Sequence, residues 1–403
     1  MLSLSDIQAA RERIADRIYK TPCALSETFS RRCQTTAFFK LENLQMTGSF
    51  KERGALNRIL QLQEAEKAAG VVAASAGNHA QAVAYIAGQE GIRASIVMPR
   101  NTPLIKIANT RAHGAEVILQ GDNFDEAYAI AQRKQEAEGT TFLHPFDDER
   151  VIAGQGTIGL ELLEQVPDLE VVIVPIGGGG LISGIGVALK ALKPDTLLIG
   201  VQAAAVPSMR HSLDAGQSQP TAQQDTIADG IAIKKPGALT FEYVQRYVDD
   251  VVTVNEEEIA NAVLLLLEQE KSVVEGAGAV PLAALYNDHV PQARGRKTVM
   301  VLSGGNIDVN LLSRIIERGL AKDGRLVRLE LHVPDEPGAL ANLLLEIGRC
   351  QANVIEIHHN RAFNEVGLAQ VAVELTLETR GAEHVAEIRS TLTNNGYTLK
   401  EAC

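Results

Sequence analysis

Between about residues 70 and 320, short apolar runs alternate with longer stretches of helical periodicity. Gly, Pro, Asn or Asp bounds each run, which predicts strands at Val71–Ser75, Ala94–Met98, Ala115–Leu119, Val171–Pro175, Leu197–Val201 and Thr298–Ser303. The helical stretches include Asn78–Gln89, Asp122–Glu138, Leu181–Leu192 and Ile307–Arg318. Because the strands are apolar throughout, they predict a parallel sheet covered by helices on both faces. Ligands of such sheets bind beyond the carboxyl ends of the strands, so we expect the functional site there.

The pattern changes after residues 321–325, a short charged segment that we interpret as a linker. Leu326–Val333 alternates apolar and polar residues, as a half-buried strand does. The elements predicted after it are a turn at Asp335–Gly338, helix Ala339–Cys350, strand Val354–His359, a turn at Asn364, strand Leu368–Leu377, helix Ala382–Asn394 and strand Tyr397–Lys400. This order predicts a split βαβ, ferredoxin-like domain.

Composition and charge narrow the class of protein. The chain has 403 residues, 45% of them hydrophobic and 22% charged, which is typical of a globular protein of two or three domains. Its net charge is −12 and no run of Lys or Arg stands out. An anionic membrane or a nucleic-acid backbone would repel it on average, so we expect neither as a partner.

The N-terminus is predicted to be a helix rather than a signal peptide or membrane span, because charges interrupt its apolar positions Ile7, Ile14 and Ile18. Ser5 and Gln8 have the spacing of a capping box at the start of that helix.

Cysteine usage indicates the compartment. The four cysteines form no CxxC pair and no zinc-binding spacing with His; they are Cys23, Cys33, Cys350 and Cys403. Scattered single cysteines are typical of a reducing environment, so we predict a cytoplasmic protein without a metal site.

The first candidate loop, Thr47–Gly54, follows the strand-like segment Ala37–Leu41 and carries Lys51 at a predicted helix start. The positive end of the helix dipole favours the neutral form of an amine. The neutral amine is the form that attacks an aldehyde to make a Schiff base. A lone lysine in such a position is more often an ordinary solvated side chain.

The second loop, Ser75–His79, directly follows a predicted strand. Backbone amides at the start of the next helix are suited to hold a carboxylate, and the amide of Asn78 is a donor for a ring oxygen. The alternative is a helix cap without a ligand.

The third loop contains four consecutive glycines, Gly177, Gly178, Gly179 and Gly180, after a predicted buried strand. Such a run loses much conformational entropy on folding, which favours a role in which backbone amides approach an anion closely. No Gly-Lys-Ser/Thr follows, so it is not a Walker loop, and Ser183 replaces the third glycine of a dinucleotide fingerprint. A tight turn without a ligand is the alternative.

Two further positions carry polar side chains beside glycines. Ser303 ends a predicted strand, and a hydroxyl there suits a neutral ring nitrogen, whereas an Asp would keep that nitrogen protonated. Glu275 follows the predicted helix Glu256–Lys271 and is a candidate acid or orienting group. A helix cap and a solvated glutamate are the alternatives.

In order and spacing, these loops resemble those of the fold-type-II pyridoxal-phosphate enzymes, and among them the threonine dehydratases (threonine ammonia-lyases), over about residues 5–320. The motifs that carry the resemblance are Gly-Ser-Phe-Lys51-Glu-Arg-Gly, Ser-Ala-Gly-Asn78-His-Ala-Gln, the four glycines with Leu181, and Ser303-Gly-Gly-Asn. The resemblance implies an α/β fold of two open twisted sheets, like the tryptophan synthase β subunit. A small subdomain of about residues 46–150 would be inserted in a catalytic domain of residues 1–320.

The resemblance also implies roles for individual residues. Lys51 would bind pyridoxal 5'-phosphate as a Schiff base, Phe50 and Asn78 would flank the ring, and Glu275 and Ser303 would complete the cofactor site. The phosphate would lie against Gly177, Gly178, Gly179, Gly180 and Leu181. The substrate carboxylate would be held by Ser75, Ala76, Gly77 and His79.

Ala76 separates this chain from the racemases of the family, which carry a serine there as a second acid/base. Racemisation needs proton exchange on both faces of Cα, and alanine does not supply it. We therefore expect deamination of L-threonine to 2-oxobutyrate and ammonia, with L-serine giving pyruvate as a side activity. A β-replacement synthase, a serine racemase/dehydratase and an amino-acid sensor with a degenerate catalytic domain are the alternatives.

Residues 326–403 resemble a regulatory ACT domain, with Asp335-x-Pro-Gly338 in its first strand–helix turn. The resemblance implies a homo-oligomer, a dimer or tetramer, whose paired domains bind an amino-acid effector such as isoleucine or valine. A ferredoxin-like domain used only for dimerisation is the alternative. The sequence leaves open whether the role is in isoleucine biosynthesis or in catabolism.

Overall fold

The computed structural model describes residues 1–222, 224–360 and 369–400. The chain divides into two compact units, Met1–Ile307 and Asp308–Cys403. Within the described residues, no helix combines the length and the apolar character needed to cross a bilayer.

The strands of the first unit are mostly short and buried. They are β1 (Cys23–Ser26), β2 (Thr36–Lys40), β3 (Val71–Ala74), β4 (Ala94–Met98), β5 (Glu116–Leu119), β6 (Thr141–Phe142), β7 (Val171–Pro175), β8 (Leu197–Ala203), β9 (Asp250–Val254) and β10 (Lys297–Val301). The six predicted strands agree with β3, β4, β5, β7, β8 and β10 to within two residues at each end.

The strands form two sheets, as predicted for a two-sheet α/β fold. The large sheet has the order β1-β2-β10-β7-β8-β9, in which only the pairing of β1 with β2 is antiparallel. The small sheet has the order β5-β4-β3-β6 and is parallel throughout. The chain therefore leaves the large sheet after β2, builds the small sheet, and returns at β7.

Helices cover these sheets. They are α1 (Leu4–Ile14), α2 (Glu27–Arg32), α3 (Lys51–Ile59), α4 (Glu64–Ala69), α5 (Asn78–Gln89), α6 (Leu104–Ala112), α7 (Phe124–Glu138), α8 (Glu149–Gln165), α9 (Gly180–Leu192), α10 (Ser208–Ala215), α11 (Ala238–Tyr247), α12 (Glu256–Glu270) and α13 (Gly276–Tyr286). Every residue of β3, β4 and β7 is buried, as two covered faces require. In the core of the large sheet, Val172 and Val299 pack with Ile182 and Ile185 of α9. Each such side chain stabilises the fold by about 1.5–3 kcal/mol.

The predicted capping box of α1 was wrong by two positions. The N-cap is Ser3, whose hydroxyl accepts a hydrogen bond from the backbone of Asp6, while the carboxylate of Asp6 accepts one from the backbone of Ser3. A charged acceptor is favoured over the neutral Gln8 at the positive end of a helix, so α1 begins earlier than Ser5 and Gln8 suggested.

Four of the buried charged side chains of the first unit lie together, and we call Lys40, Glu42, Arg53 and Glu161 the buried ionic cluster. Each is at most 7% exposed. Arg53 Nε lies 2.8 Å from Glu42 Oε2, and Arg53 Nη1 lies 2.6 Å from Glu161 Oε1. Lys40 Nζ lies 2.5 Å from Glu161 Oε2. The cluster thereby ties β2, α3 and α8 together and balances two positive with two negative charges.

The second unit contains α14 (Val309–Lys322), β11 (Leu326–Pro334), α15 (Ala339–Arg349), β12 (Asn353–Asn360), β13 (Gln370–Glu378), α16 (Ala382–Asn394) and β14 (Thr398–Leu399). Its antiparallel sheet has the order β12-β13-β11-β14, and after α14 the elements follow the predicted split βαβ order. The predicted turn at Asn364 lies outside the described residues. The unit begins before α14, whereas the sequence suggested a linker at residues 321–325.

Candidate active site

The loops with candidate residues gather where parallel strands end. Strands β2, β10 and β7 are mutually parallel, so the segments that follow them leave the large sheet at one edge. The segments that follow β3 and β6 leave the small sheet in the same way. Hydrogen bonds join the two groups: Asn78 after β3 contacts Glu275, and Lys51 contacts Pro145 after β6.

Lys51 is the first residue of α3, as the sequence predicted. Its Nζ donates a hydrogen bond to the carbonyl of Pro145 at 2.7 Å and lies 5.0 Å from the ring centroid of Phe50. Burial lowers the pKa of Lys51 to about 8, against the opposing charge of Glu275. The backbone N–H of Phe50 donates to the carbonyl of Ser303 at 3.1 Å, which ties the start of α3 to the end of β10. The amine is thus fixed in place, and it is neutral for a larger fraction of the time than the amine of an exposed lysine.

Asn78 is held by partners on both ends of its amide. Its Nδ2 donates to Glu275 Oε1 at 2.6 Å, and its Oδ1 accepts from Asn306 Nδ2 at 2.7 Å. Asn306 Nδ2 also donates to the carbonyl of Thr47 at 2.7 Å, so this atom meets two oxygen acceptors and must be the nitrogen. Among the residues that the structure describes, the second N–H of the Asn78 amide has no partner, so it is available to a ligand.

Glu275 immediately precedes α13 and is 4% exposed. Burial raises the pKa of Glu275 to about 7, and the charge of Asp229 acts in the same direction, whereas the hydrogen bond from Asn78 opposes the shift. This carboxyl group therefore holds a proton for a large part of the time near neutral pH.

The glycine loop, Gly177–Gly180, has no room for side chains. A Cβ on Gly178 would lie 2.3 Å from the ring of Phe146, and one on Gly180 would lie 2.9 Å from the carbonyl oxygen of that residue. Gly179 has φ +98°, which L side chains rarely adopt. The loop leads directly into α9, whose first-turn amides have no partner within the helix. It therefore presents backbone N–H groups, which suit an anion such as phosphate.

The segment Ser75–His79 also presents amides at a helix start, since α5 begins at Asn78. Ser75 Oγ accepts a hydrogen bond from the backbone of Gly77 at 3.3 Å. The imidazole Nε2 of His79 lies 2.8 Å from the carbonyl of Leu143, and burial lowers the pKa of His79 to about 3. Its ring is therefore neutral and bound to the protein, which leaves its backbone N–H for the carboxylate role that the resemblance implied.

Sequence reasoning missed the segment from His144 to Asp147, which contacts both sides of the site. His144 Nδ1 accepts hydrogen bonds from the backbones of Phe146, at 3.2 Å, and Asp147, at 2.7 Å. Burial lowers the pKa of His144 to about 4, in keeping with an accepting ring nitrogen. Phe146 packs on the glycine loop and Pro145 accepts from Lys51. The segment has no glycine motif and follows the two-residue strand β6, so no local signal marked it.

These groups fit pyridoxal 5'-phosphate. A primary amine with a lowered pKa suits a Schiff base with the aldehyde, and the glycine amides suit the phosphate. The free N–H of Asn78 suits the phenolic oxygen, and Ser303, 3% exposed just beyond β10, suits the ring nitrogen. The pyridoxal-phosphate assignment thus rests on four separate segments, three after strands of the large sheet and one after β3 of the small sheet, that the fold brings together.

Comparison with known proteins agrees with this chemistry. Residues 14–304 match the family model described as "Pyridoxal-phosphate dependent enzyme". An L-threonine ammonia-lyase from Thermotoga maritima is 52% identical over 400 residues, which is 99% of each chain.

Two solved structures are similar over the catalytic part. The processed form of threonine deaminase isoform 2 from Solanum lycopersicum has a TM-score of 0.74 and 38% identity over 78% of this chain and 91% of that chain. Maize serine racemase has a TM-score of 0.74 and 36% identity over 79% of this chain and 98% of that chain. The fold therefore does not separate deaminase from racemase. The 52% identity over nearly the full chain favours the threonine ammonia-lyase. The chain belongs to the pyridoxal-phosphate-dependent enzymes and, within them, to the L-threonine ammonia-lyase family.

Proposed function

We propose that this enzyme eliminates water from L-threonine and releases 2-oxobutyrate and ammonia, with L-serine giving pyruvate as a side activity. The observation that carries the proposal is the position of Lys51: its amine has a lowered pKa, responds to the charge of Glu275, and donates to the carbonyl of Pro145, whose neighbour Phe146 packs on the glycine loop. The full-length similarity to an L-threonine ammonia-lyase supports the choice of substrate.

The residues of the chain divide the work of the reaction. Pyridoxal 5'-phosphate, when bound, supplies the electron sink that stabilises negative charge at Cα. Lys51 Nζ removes the proton from the substrate Cα and holds it, a role that its pKa of about 8 suits near neutral pH. The amides of Ser75–Gly77 and the backbone N–H of His79 bind the carboxylate and so orient the Cα–H bond.

Ala76 directs the outcome on the other face of the substrate. Its methyl group has no proton to exchange, so Cα is not reprotonated from that side. Elimination of the β-hydroxyl is then favoured over inversion. Ala76 thus favours the deaminase over the serine racemase alternative, which the fold alone leaves open.

The experiment that tests the proposal combines an activity assay with a covalent label. We expect purified wild-type enzyme to form ketoacid from threonine alone, and borohydride to attach a pyridoxyl group to Lys51. Lys51→Ala should lose the visible absorbance of the bound cofactor and the activity together. Lys67→Ala, at a surface lysine paired with Glu64, is the matched control and should keep both. Full activity in Lys51→Ala would refute the assignment, and no ketoacid without a second substrate would favour a β-replacement synthase.

We also propose that residues 1–320 are the catalytic domain and that residues 326–403 act as a regulatory ACT domain. Paired copies in a cytoplasmic homo-oligomer would bind an end-product amino acid such as isoleucine or valine. The split βαβ order of the second unit and the left-handed Gly338 at the start of α15 support this assignment. Deleting residues 326–403 should leave deamination intact but abolish the effector response. In the intact protein we expect a coupling free energy of about 1–3 kcal/mol between the effector site and the active site. A response that survives the deletion would refute it.

A further inference from the structure

Thr240 lies in the first turn of α11 and contacts Gly178 and Gly179 of the glycine loop. It is fully buried, with 0% of its surface exposed. Its Oγ1 donates a hydrogen bond to the carbonyl oxygen of Gly178 at 2.5 Å. A Cβ on Gly179 would lie 2.9 Å from Thr240 Cβ, so the two residues are in close contact.

This hydrogen bond sets the direction of one peptide group. In a trans peptide the C=O and the following N–H point in opposite directions. Because the carbonyl of Gly178 points at Thr240, the N–H of Gly179 points away from it. The left-handed φ of +98° at Gly179 then leads the chain into α9.

Thr240 is itself fixed by the segment that sequence reasoning missed. Its backbone N–H donates to Asp147 Oδ1 at 3.0 Å. A Cβ on Gly237 would lie 2.1 Å from the same oxygen, so Asp147 fits closely against the start of α11. The backbone N–H of Asp147 in turn donates to His144 Nδ1 at 2.7 Å. The backbone of Thr240 is therefore fixed beside Gly178. Its Oγ1 also lies 3.3 Å from the carbonyl oxygen of Gly237, and the shorter contact is the one with Gly178.

We propose that Thr240 is a positioning residue for phosphate recognition: it orients the Gly178–Gly179 peptide so that the amide of Gly179 faces the cofactor phosphate. The proposal rests on the assignment of the glycine loop to that phosphate. Loss of the hydroxyl leaves the buried carbonyl of Gly178 without its partner and lets the peptide rotate.

The test compares Thr240→Val, which keeps the shape of the side chain but removes the donor, with Thr240→Ser, which keeps the donor. Each full-length protein is stripped of cofactor with hydroxylamine and titrated with pyridoxal 5'-phosphate and, separately, with pyridoxal, which lacks the phosphate. Binding is followed by absorbance. We expect Thr240→Val to bind the phosphorylated compound about tenfold more weakly, with pyridoxal binding changed by less than about twofold. Thr240→Ser should behave as the wild type does with both compounds.

The possible outcomes distinguish the role of Thr240 from the assignment of the glycine loop to the phosphate. Unchanged binding of pyridoxal 5'-phosphate by Thr240→Val, or an equal loss for both compounds, would overturn the role of Thr240. If the wild type does not prefer the phosphorylated compound, the assignment of the glycine loop fails instead. Thermal unfolding of each stripped protein shows whether the variants are folded before titration. If Thr240→Val is not folded, Thr240→Ala, which also lacks the donor, takes its place in the comparison.

Discussion

Two of the helices that begin at the active site, α3 and α9, contribute to it in opposite ways. α3 contributes the side chain of Lys51, whereas α9 contributes backbone amides from glycines that leave no space for side chains. The first turn of α3 is held by charges, because Arg53 lies about 200° around the helix from Lys51 and joins the buried ionic cluster. The start of α9 is held by uncharged contacts with Phe146 and Thr240. The first helix should therefore be sensitive to loss of charge and the second to added atoms.

The largest effect should come from Arg53→Met. The change leaves Glu42 and Glu161 with Lys40 as the one positive charge of the cluster, so one buried negative charge is uncompensated, which should reduce the free energy of unfolding by about 3–5 kcal/mol. Urea denaturation measures the loss. Arg11→Met is the matched control, because the side chains of its pair with Glu164 are 44% and 38% exposed, and it should lose less than about 1 kcal/mol. Equal losses in the two variants would contradict a special role for the buried cluster.

An intermediate effect is expected at a third helix start, where Glu275 precedes α13. The folded protein raises the pKa of this carboxyl to about 7 from 4.5, so between these values the folded state binds more protons than the unfolded state. Stability from this group is fully present below pH 4.5 and is lost as the pH rises through 7, about 3 kcal/mol in all. Urea denaturation across this range should show a smaller decline for Glu275→Gln than for the wild type. Parallel curves would show that Glu275 does not titrate in this way.

Gly178→Ala probes α9 with a single added methyl group. Its Cβ would lie 2.3 Å from the ring of Phe146, so the ring or the loop must shift. Overpacking of this kind costs about 1–3 kcal/mol, which should weaken binding of pyridoxal 5'-phosphate about 5- to 150-fold in a titration. Gly348→Ala, in α15, is the control because its Cβ would meet nothing within 4 Å. Wild-type affinity in Gly178→Ala would mean that the ring of Phe146 shifts and the loop keeps its position.

The sequence predicted the parts of the fold that carry a continuous local signal. β4 and β7 are uninterrupted apolar runs, and both were predicted to the residue. β1, β6 and β9 were not predicted: β1 is half exposed, β6 has two residues, and β9 has mixed burial, so none shows the pattern of a fully buried strand. The cap of α1 was misplaced because two Ser-containing pairs had the same spacing.

The candidate site divides in the same way. Lys51, Asn78 and the glycine loop became candidates because glycines and predicted helix starts mark them locally. Asp147 and Thr240 were not found, because their importance comes from a hydrogen bond between residues 93 positions apart. No local pattern reveals such a pair, and the same holds for the ionic cluster.

The ionic cluster also limits how this protein can change. Replacing any one of its four residues alone leaves an opposite charge unpaired in the protein interior, where water does not solvate it. Replacing all four together with apolar residues of similar volume removes that penalty and is often neutral or favourable. Single substitutions in the cluster therefore destabilise the protein, whereas replacement of all four residues at once does not carry this penalty. A designer who wishes to change the residues that support Lys51 should redesign β2, α3 and α8 in one step.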